Sequence, residues 1–192
     1  MQQPGVRCVD ETTYCIDGIK YWLWVATSDQ VCVLLLAPTR SSAELKQLLG
    51  QDFEGILSSD CFSAYNPQSA AAKQKCLTHL ERDLEALKAS RFEGNRFFAQ
   101  AVGEILTAAR TLYRDYHAGK VKPDNNDAER ALRPVVVHRK VTGGARSDWG
   151  AQLVAQMFSF LETVRLQGEE AIAQLYQLLC LAGRSPPGLH FN

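Results

Sequence analysis

Three strand-like segments precede any helix in this chain, and that order restricts the fold more than any other feature. Residues 6–14 (Val-Arg-Cys-Val-Asp-Glu-Thr-Thr-Tyr) are rich in β-branched types. Asp17-Gly18, a strong hairpin-turn pair, follows. Residues 19–26 and 31–36 then supply a second and a third strand around the polar turn Thr27-Ser28-Asp29-Gln30, giving an antiparallel meander. The pattern changes at Ser41. Ser41-x-x-Glu44 reads as a capping box, and Leu45, Leu48 and Leu49 form one apolar helix face. Gly55 to Ser59 reads as a short buried strand ending at Asp60. A small helix or loop is expected across 63–73, with a fifth strand at Cys76-Leu77. From Thr78 onward helical stripes dominate. Leu80, Leu84 and Leu87 form one, and Phe98, Ala101, Val102, Ile105, Ala109, Leu112 and Tyr116 a longer one. After a break at Gly119–Pro123, a short helix near 125–133 is expected to end at Pro134, where the missing N–H interrupts the bonding. Two more helices follow, around Leu153–Val164 and Ile172–Leu179. The expectation is an α/β or α+β core with a helical supplement, every apolar stripe being core packing.

Composition removes several alternatives. Of 192 residues, 46% are apolar and 22% charged, too apolar for a disordered chain. No run approaches the ~18 apolar residues of a membrane helix, and Met-Gln-Gln-Pro-Gly lacks the basic and apolar segments of a secretory signal. Cysteines 8, 15, 32, 61, 76 and 180 include no CxxC pair and read as reduced thiols of a cytosolic protein. With 21 basic and 21 acidic side chains, the chain is no general polyanion coat, although local patches remain open.

Asp10 lies in the first strand and Asp60 where the fourth ends. A helical crossover lets strand four run parallel beside strand one, so that both carboxylates emerge at the carboxyl end of the sheet. Two bare carboxylates there repel, and a divalent cation reverses the penalty. Mg²⁺ or Mn²⁺ suits such hard oxygen ligands. Spacing alone favours a simpler account, with Asp60 capping the next segment and Asp10 a satisfied strand-end acid. Asp124-Asn125-Asn126-Asp127-Ala128-Glu129 opens with capping residues and puts Glu129 in the first helical turns. The ordinary account of Glu129 is an i,i+4 pair with Arg133.

The wording of that third segment goes further. DNNDAERALRP at 124–134, followed by VVVHRK, resembles the carboxyl-terminal signature of insertion-sequence transposases of the DDE class, in the family numbered sixty-six. VDET at 9–12, YWLWV at 21–25, SDCFSAYN at 59–66 and CLTHLERDLEAL at 76–87 are similar to the same family in the same order. The resemblance spans nearly the whole chain. It implies a single ribonuclease H-like catalytic domain over 1–192, with a helical insertion at about 79–122 and a C-terminal helical part at about 147–183. It also implies catalytic and metal-binding roles for Asp10, Asp60 and Glu129, which would hold two Mg²⁺ (or Mn²⁺) ions for phosphoryl transfer at DNA. The expected partners are DNA, as transposon ends and target, and a second copy of the chain. The expected location is the prokaryotic cytoplasm, at the nucleoid.

A basic surface suits that chemistry. Between Arg130 and Arg146 stand Arg130, Arg133, Arg139, Lys140 and Arg146, with one His and no acid. Beside a metal site such a patch is apt for phosphate contacts; by itself it is a solvated face. Thr142-Gly143-Gly144 could offer amides to a phosphate, but such a pair is more often a turn. Val141 stands where the family usually has Asn. Cys76-x-x-His79 resembles a C-x-x-H element that supports the site in many DDE transposases. Two ligands make no zinc site, and His79 stays open between a bond near Asp60, a DNA contact and an ordinary helix-start histidine.

Family members usually carry a longer amino-terminal region before the first acid. The expectation is therefore a catalytic core cut off from its end-recognition region, a degraded copy, or one piece of a split protein. Two functions compete: a Mg²⁺-dependent DNA nicking and strand-transfer core, and an inactive DNA-binding remnant. A junction resolvase fits the acids but not the ordered motifs.

Overall fold

The computed structural model describes residues 5–116 and 122–181. Strands β1 (Val6–Ile16), β2 (Ile19–Thr27) and β3 (Cys32–Ala37) form the meander; α1 (Ser42–Leu49) leads to β4 (Ile56–Ser59), and β5 (Ala72–Lys75) follows. Five helices complete the chain: α2 (Leu77–Lys88), α3 (Glu93–Tyr116), α4 (Asn126–Thr142), α5 (Asp148–Gln167) and α6 (Ala171–Leu181). The sheet is mixed, in the order β3-β2-β1-β4-β5, with β1–β2 and β2–β3 antiparallel and β1–β4 and β4–β5 parallel. Asp17 and Gly18 carry φ of 48° and 80°, the positive pair a two-residue hairpin turn needs to match strand twist.

Strand alternation sorts side chains onto two cores. Cys8, Tyr14, Ile16, Leu23, Val25 and Leu34 face α4 and α5, where Ala131, Leu132, Val135, Ala151 and Ala155 cover them. Val9, Trp24, Ala26 and Leu57 face the other way, against Leu45 of α1 and Tyr65 of a 3-10 turn at Ser63–Tyr65. Helices α2 and α3 pack on each other through Leu84, Ala99 and Leu106. None of the six cysteines forms a disulfide, and burial pushes the Cys8 thiol up to about 11 and the Cys32 thiol to about 12. Among the described residues no helix is long and apolar enough to cross a membrane.

Not every apolar stripe is core packing: Phe98, Ile105 and Leu112 of α3 are exposed, as are Ile172 and Leu178 of α6. Three further local expectations change. The fifth strand lies at 72–75, and Cys76 instead precedes α2 as its N-cap residue. Ser41 makes no side-chain cap bond; the Glu44 carboxylate accepts from the Thr39 hydroxyl at 2.7 Å. Helix α4 runs through Pro134 to Thr142. An interior proline costs about 3 kcal/mol. The apolar face of Ala128, Ala131, Leu132 and Val135 extends across it, and its burial offsets that cost. The Gly143-Gly144 pair is a turn with its amides in use. Gly143 (φ 76°) donates to the Arg139 carbonyl at 2.8 Å, and Gly144 donates to the Thr142 hydroxyl at 3.3 Å. Gly144 has φ 104°, and a Cβ there would run into the Cys15 carbonyl, so only glycine fits. Ala145 then clips onto the end of β1: its N–H donates to Cys15 O and its carbonyl accepts from Asp17 N–H, both at 2.9 Å.

Candidate active site

Asp10 and Glu11 are neighbours in a strand, so their side chains leave on opposite faces. Asp10 shares the side of Cys8 and Tyr14, beneath α4; Glu11 shares that of Val9, beneath α1. The parallel register pairs Val6 with Ile56 and Cys8 with Ser58. Two residues past that last pair stand Asp10, in the middle of β1, and Asp60, just after the end of β4. Asp60 Oδ1 accepts the Phe62 N–H at 2.9 Å, so Asp60 also caps its turn. Lys75, at the end of β5, donates to the Asp60 carbonyl at 3.0 Å.

Asp10 is the perturbed acid. Burial pushes its carboxyl up to about 7; the Glu11 N–H, bonded to Oδ1 at 2.8 Å, pulls it partly back, and the charges of Glu11, Asp60 and Glu129 raise it again. Glu129 comes from the first turns of α4 and keeps 40% of its side chain exposed, with His79 Nε2 3.9 Å from its Oε1. His79 thus faces the third acid. Cys76 is buried, and its Sγ accepts the Asn125 N–H at 3.3 Å. Asp10 therefore lies within electrostatic reach of both Asp60 and Glu129. Among the described residues, however, no three His, Cys, Asp or Glu side chains are close enough to enclose a metal ion. The donor set is all carboxylate oxygen, which matches a hard divalent cation in chemistry.

The five cations divide by helix geometry. At about 100° per residue, Arg130, Arg133 and Lys140 share one face of α4, and all three are exposed, as is Arg146 beyond the helix. Arg139 falls on the opposite face. Its guanidinium donates to the Thr13 carbonyl, to Thr13 Oγ1 at 2.8 Å and to Thr12 Oγ1 at 3.3 Å, pinning α4 to β1. Asp124 caps the Asn126 N–H at 3.2 Å, and Asp127 is held by Lys122 at 2.7 Å.

A second polar cluster, which no motif announces, lies on the opposite face of β1 from Asp10. The Glu11 side chain is completely buried, paired with Arg40, whose Nε donates to Oε1 at 2.5 Å, and bonded by the Tyr65 hydroxyl. Arg40 lies over the Phe62 ring at 3.6 Å and the Trp22 ring at 4.9 Å. Burial pushes the Glu11 carboxyl up, while Tyr65 and Arg40 pull it back. The only hint in the sequence is Glu11 itself, an acid at a core-facing position of an alternating strand.

Comparison with known proteins agrees with the family resemblance. The family model described as "Transposase IS66 family" matches residues 1–114 and 86–153. An uncharacterized protein, y4qI, of Sinorhizobium fredii (strain NBRC 101917 / NGR234) is 30% identical over 89 residues, 46% of this chain. The match spans 16% of that relative's length. No solved structure matches.

Proposed function

The chain belongs to the IS66 transposase family, and from that premise we propose that it is the catalytic core of a DNA transposase, with a ribonuclease H-like sheet, cutting DNA phosphodiesters and transferring strands with Mg²⁺ or Mn²⁺. The observation that carries this reading is Asp10, a mid-strand carboxyl just past the last β1–β4 pair, raised to about 7 by burial and burdened by the charges of Glu11, Asp60 and Glu129. Such a group is costly in isolation, and a divalent cation among the acids reverses the cost. Asp10, Asp60 and Glu129 would hold it. Two bound ions would supply activation of a water or a 3′-hydroxyl and stabilisation of the departing oxygen.

The chain's own residues bind and orient. Arg130, Arg133 and Lys140, with Arg146, form the exposed face suited to DNA phosphates, at transposon ends and target alike. Arg139 holds α4, and with it Glu129, against β1. His79 stands beside Glu129 and can steady its carboxylate.

The test is thermal unfolding with and without Mn²⁺, beside nicking of supercoiled DNA. Mn²⁺ should raise the wild-type midpoint by ligand linkage. Asp60→Asn should lose most of that rise together with nicking. Equal rises in both proteins would reject the site. A second reading, a DNA-binding remnant without catalysis, draws support from the open spacing of the acids. It predicts DNA binding by the α4 face with neither nicking nor a metal-dependent rise.

A further inference from the structure

We propose that Asn125 is a positioning residue whose buried amide sets the separation between the strand carrying Asp10 and the helix carrying Glu129. This rests on the reading of Asp10 and Glu129 as partner acids. Asn125 is fully buried and stands at the N-cap position of α4, yet its side chain makes no cap bond. Its Nδ2 instead donates to the Val9 carbonyl at 2.7 Å, one residue before Asp10 and one beyond the last β1–β4 pair, Cys8–Ser58. Its own carbonyl accepts the N–H of Ala128 at 3.1 Å and of Glu129 at 3.3 Å. Its N–H donates to Cys76 Sγ at 3.3 Å, at the entrance to α2, the helix that carries His79. One residue thus bonds directly to the strand of the first acid, to the backbone of the third and to the helix beside it.

The chemistry of the contact selects asparagine. A carbonyl only accepts, so the NH₂ end must face Val9. Aspartate there would oppose two acceptors, and glutamine would add a methylene to a closed space. Serine or threonine, the common choices at a helix start, would cap α4 but fall short of β1. The orientation leaves Asn125 Oδ1 buried without a partner among the described residues. An unpaired buried acceptor costs free energy, a cost that fits a side chain held for geometry.

The experiment reads the Asp10–Glu129 separation through their mutual repulsion. In metal-free protein at pH 8, the non-additivity of Asp10→Asn and Glu129→Gln on unfolding measures that coupling. We expect it to fall at least twofold in Asn125→Ala. It should persist in Val135→Ala, which removes packing from the same helix and controls for lost stability. Asn125→Ser, which keeps a hydroxyl but not the reach, should show the same loss and serves if the alanine chain does not fold. Unchanged coupling in the Asn125 variants overturns the proposal. Absence of coupling in the wild type overturns both it and the three-acid reading. A loss of coupling in the variants, with no Mn²⁺-dependent rise in the wild type, sustains Asn125 as the spacer and rejects the metal site alone.

Discussion

Two adjacent carboxylates on β1 meet opposite treatment. Glu11 enters the α1 face and finds Arg40, the Tyr65 hydroxyl and two aromatic rings around the guanidinium. Asp10 enters the α4 face and finds one backbone N–H, while the other leading influences on it are burial and acids. Burial penalises both. Only one is answered from within the chain, which is how a structural acid differs from one held ready for something the chain does not supply.

Arg40→Ala should break the contrast most severely. It strands a buried carboxylate, and losses of about 3–5 kcal/mol are usual for such a deletion; urea unfolding measures it, and a loss below ~1 kcal/mol would mean Glu11 needs no partner. Asp10→Asn should act in the opposite direction. The folded carboxyl titrates near 7 against an ordinary 3.8, so the folded chain holds the proton more tightly. Its ionisation therefore costs nothing below about pH 4, progressively more as pH rises, and the full amount above 7. With chelator present, Asn should stabilise the chain by about 1–2 kcal/mol at pH 8, discounted for partial contact with water, and give no gain at pH 4.

The same two-sidedness should appear along α4. Arg139→Gln removes the bonds to Thr12 and Thr13 and should cost about 1 kcal/mol of stability, leaving the salt dependence of DNA binding nearly unchanged. The smallest effect on stability belongs to Arg130→Gln with Lys140→Gln, within about 0.5 kcal/mol. That pair should instead flatten the salt slope by about 2, as two lost phosphate contacts would, equally for all DNA sequences. An unchanged slope would make this face ordinary solvated surface.

Alternation and the Asp17-Gly18 turn made β1 to β3 legible, and the capped helix after them made a parallel β4 follow from connectivity. That was enough to expect Asp10 and Asp60 near each other, and the parallel β1–β4 pairing is what the fold shows. β5 was misplaced because Ala72-Lys-Gln-Lys75 carries no apolar alternation; it is an edge strand defined by pairing with β4 alone. Glu129 was legible only through resemblance, since no local pattern says which end of the sheet α4 meets. Arg139 read as one more cation because α4 seemed to stop at Pro134; with the helix continued, its phase turns it inward. Arg40 was invisible, because its partner lies in another element and is brought near by the meander.

The clip of Ala145 onto β1 has a dynamic consequence. Together with Arg139 on Thr13 and Asn125 on Val9, it mounts α4 on one strand at three successive heights. A helix fastened this way cannot slide lengthwise without releasing several bonds at once. Adjustment of the gap between the acids then falls to the torsions of Glu129, whose side chain remains 40% exposed. Such rotations take picoseconds to nanoseconds, whereas helix displacements take microseconds or longer. Closing the site would freeze one side chain, at an entropic cost of about 1–2 kcal/mol, rather than reorder a segment of backbone.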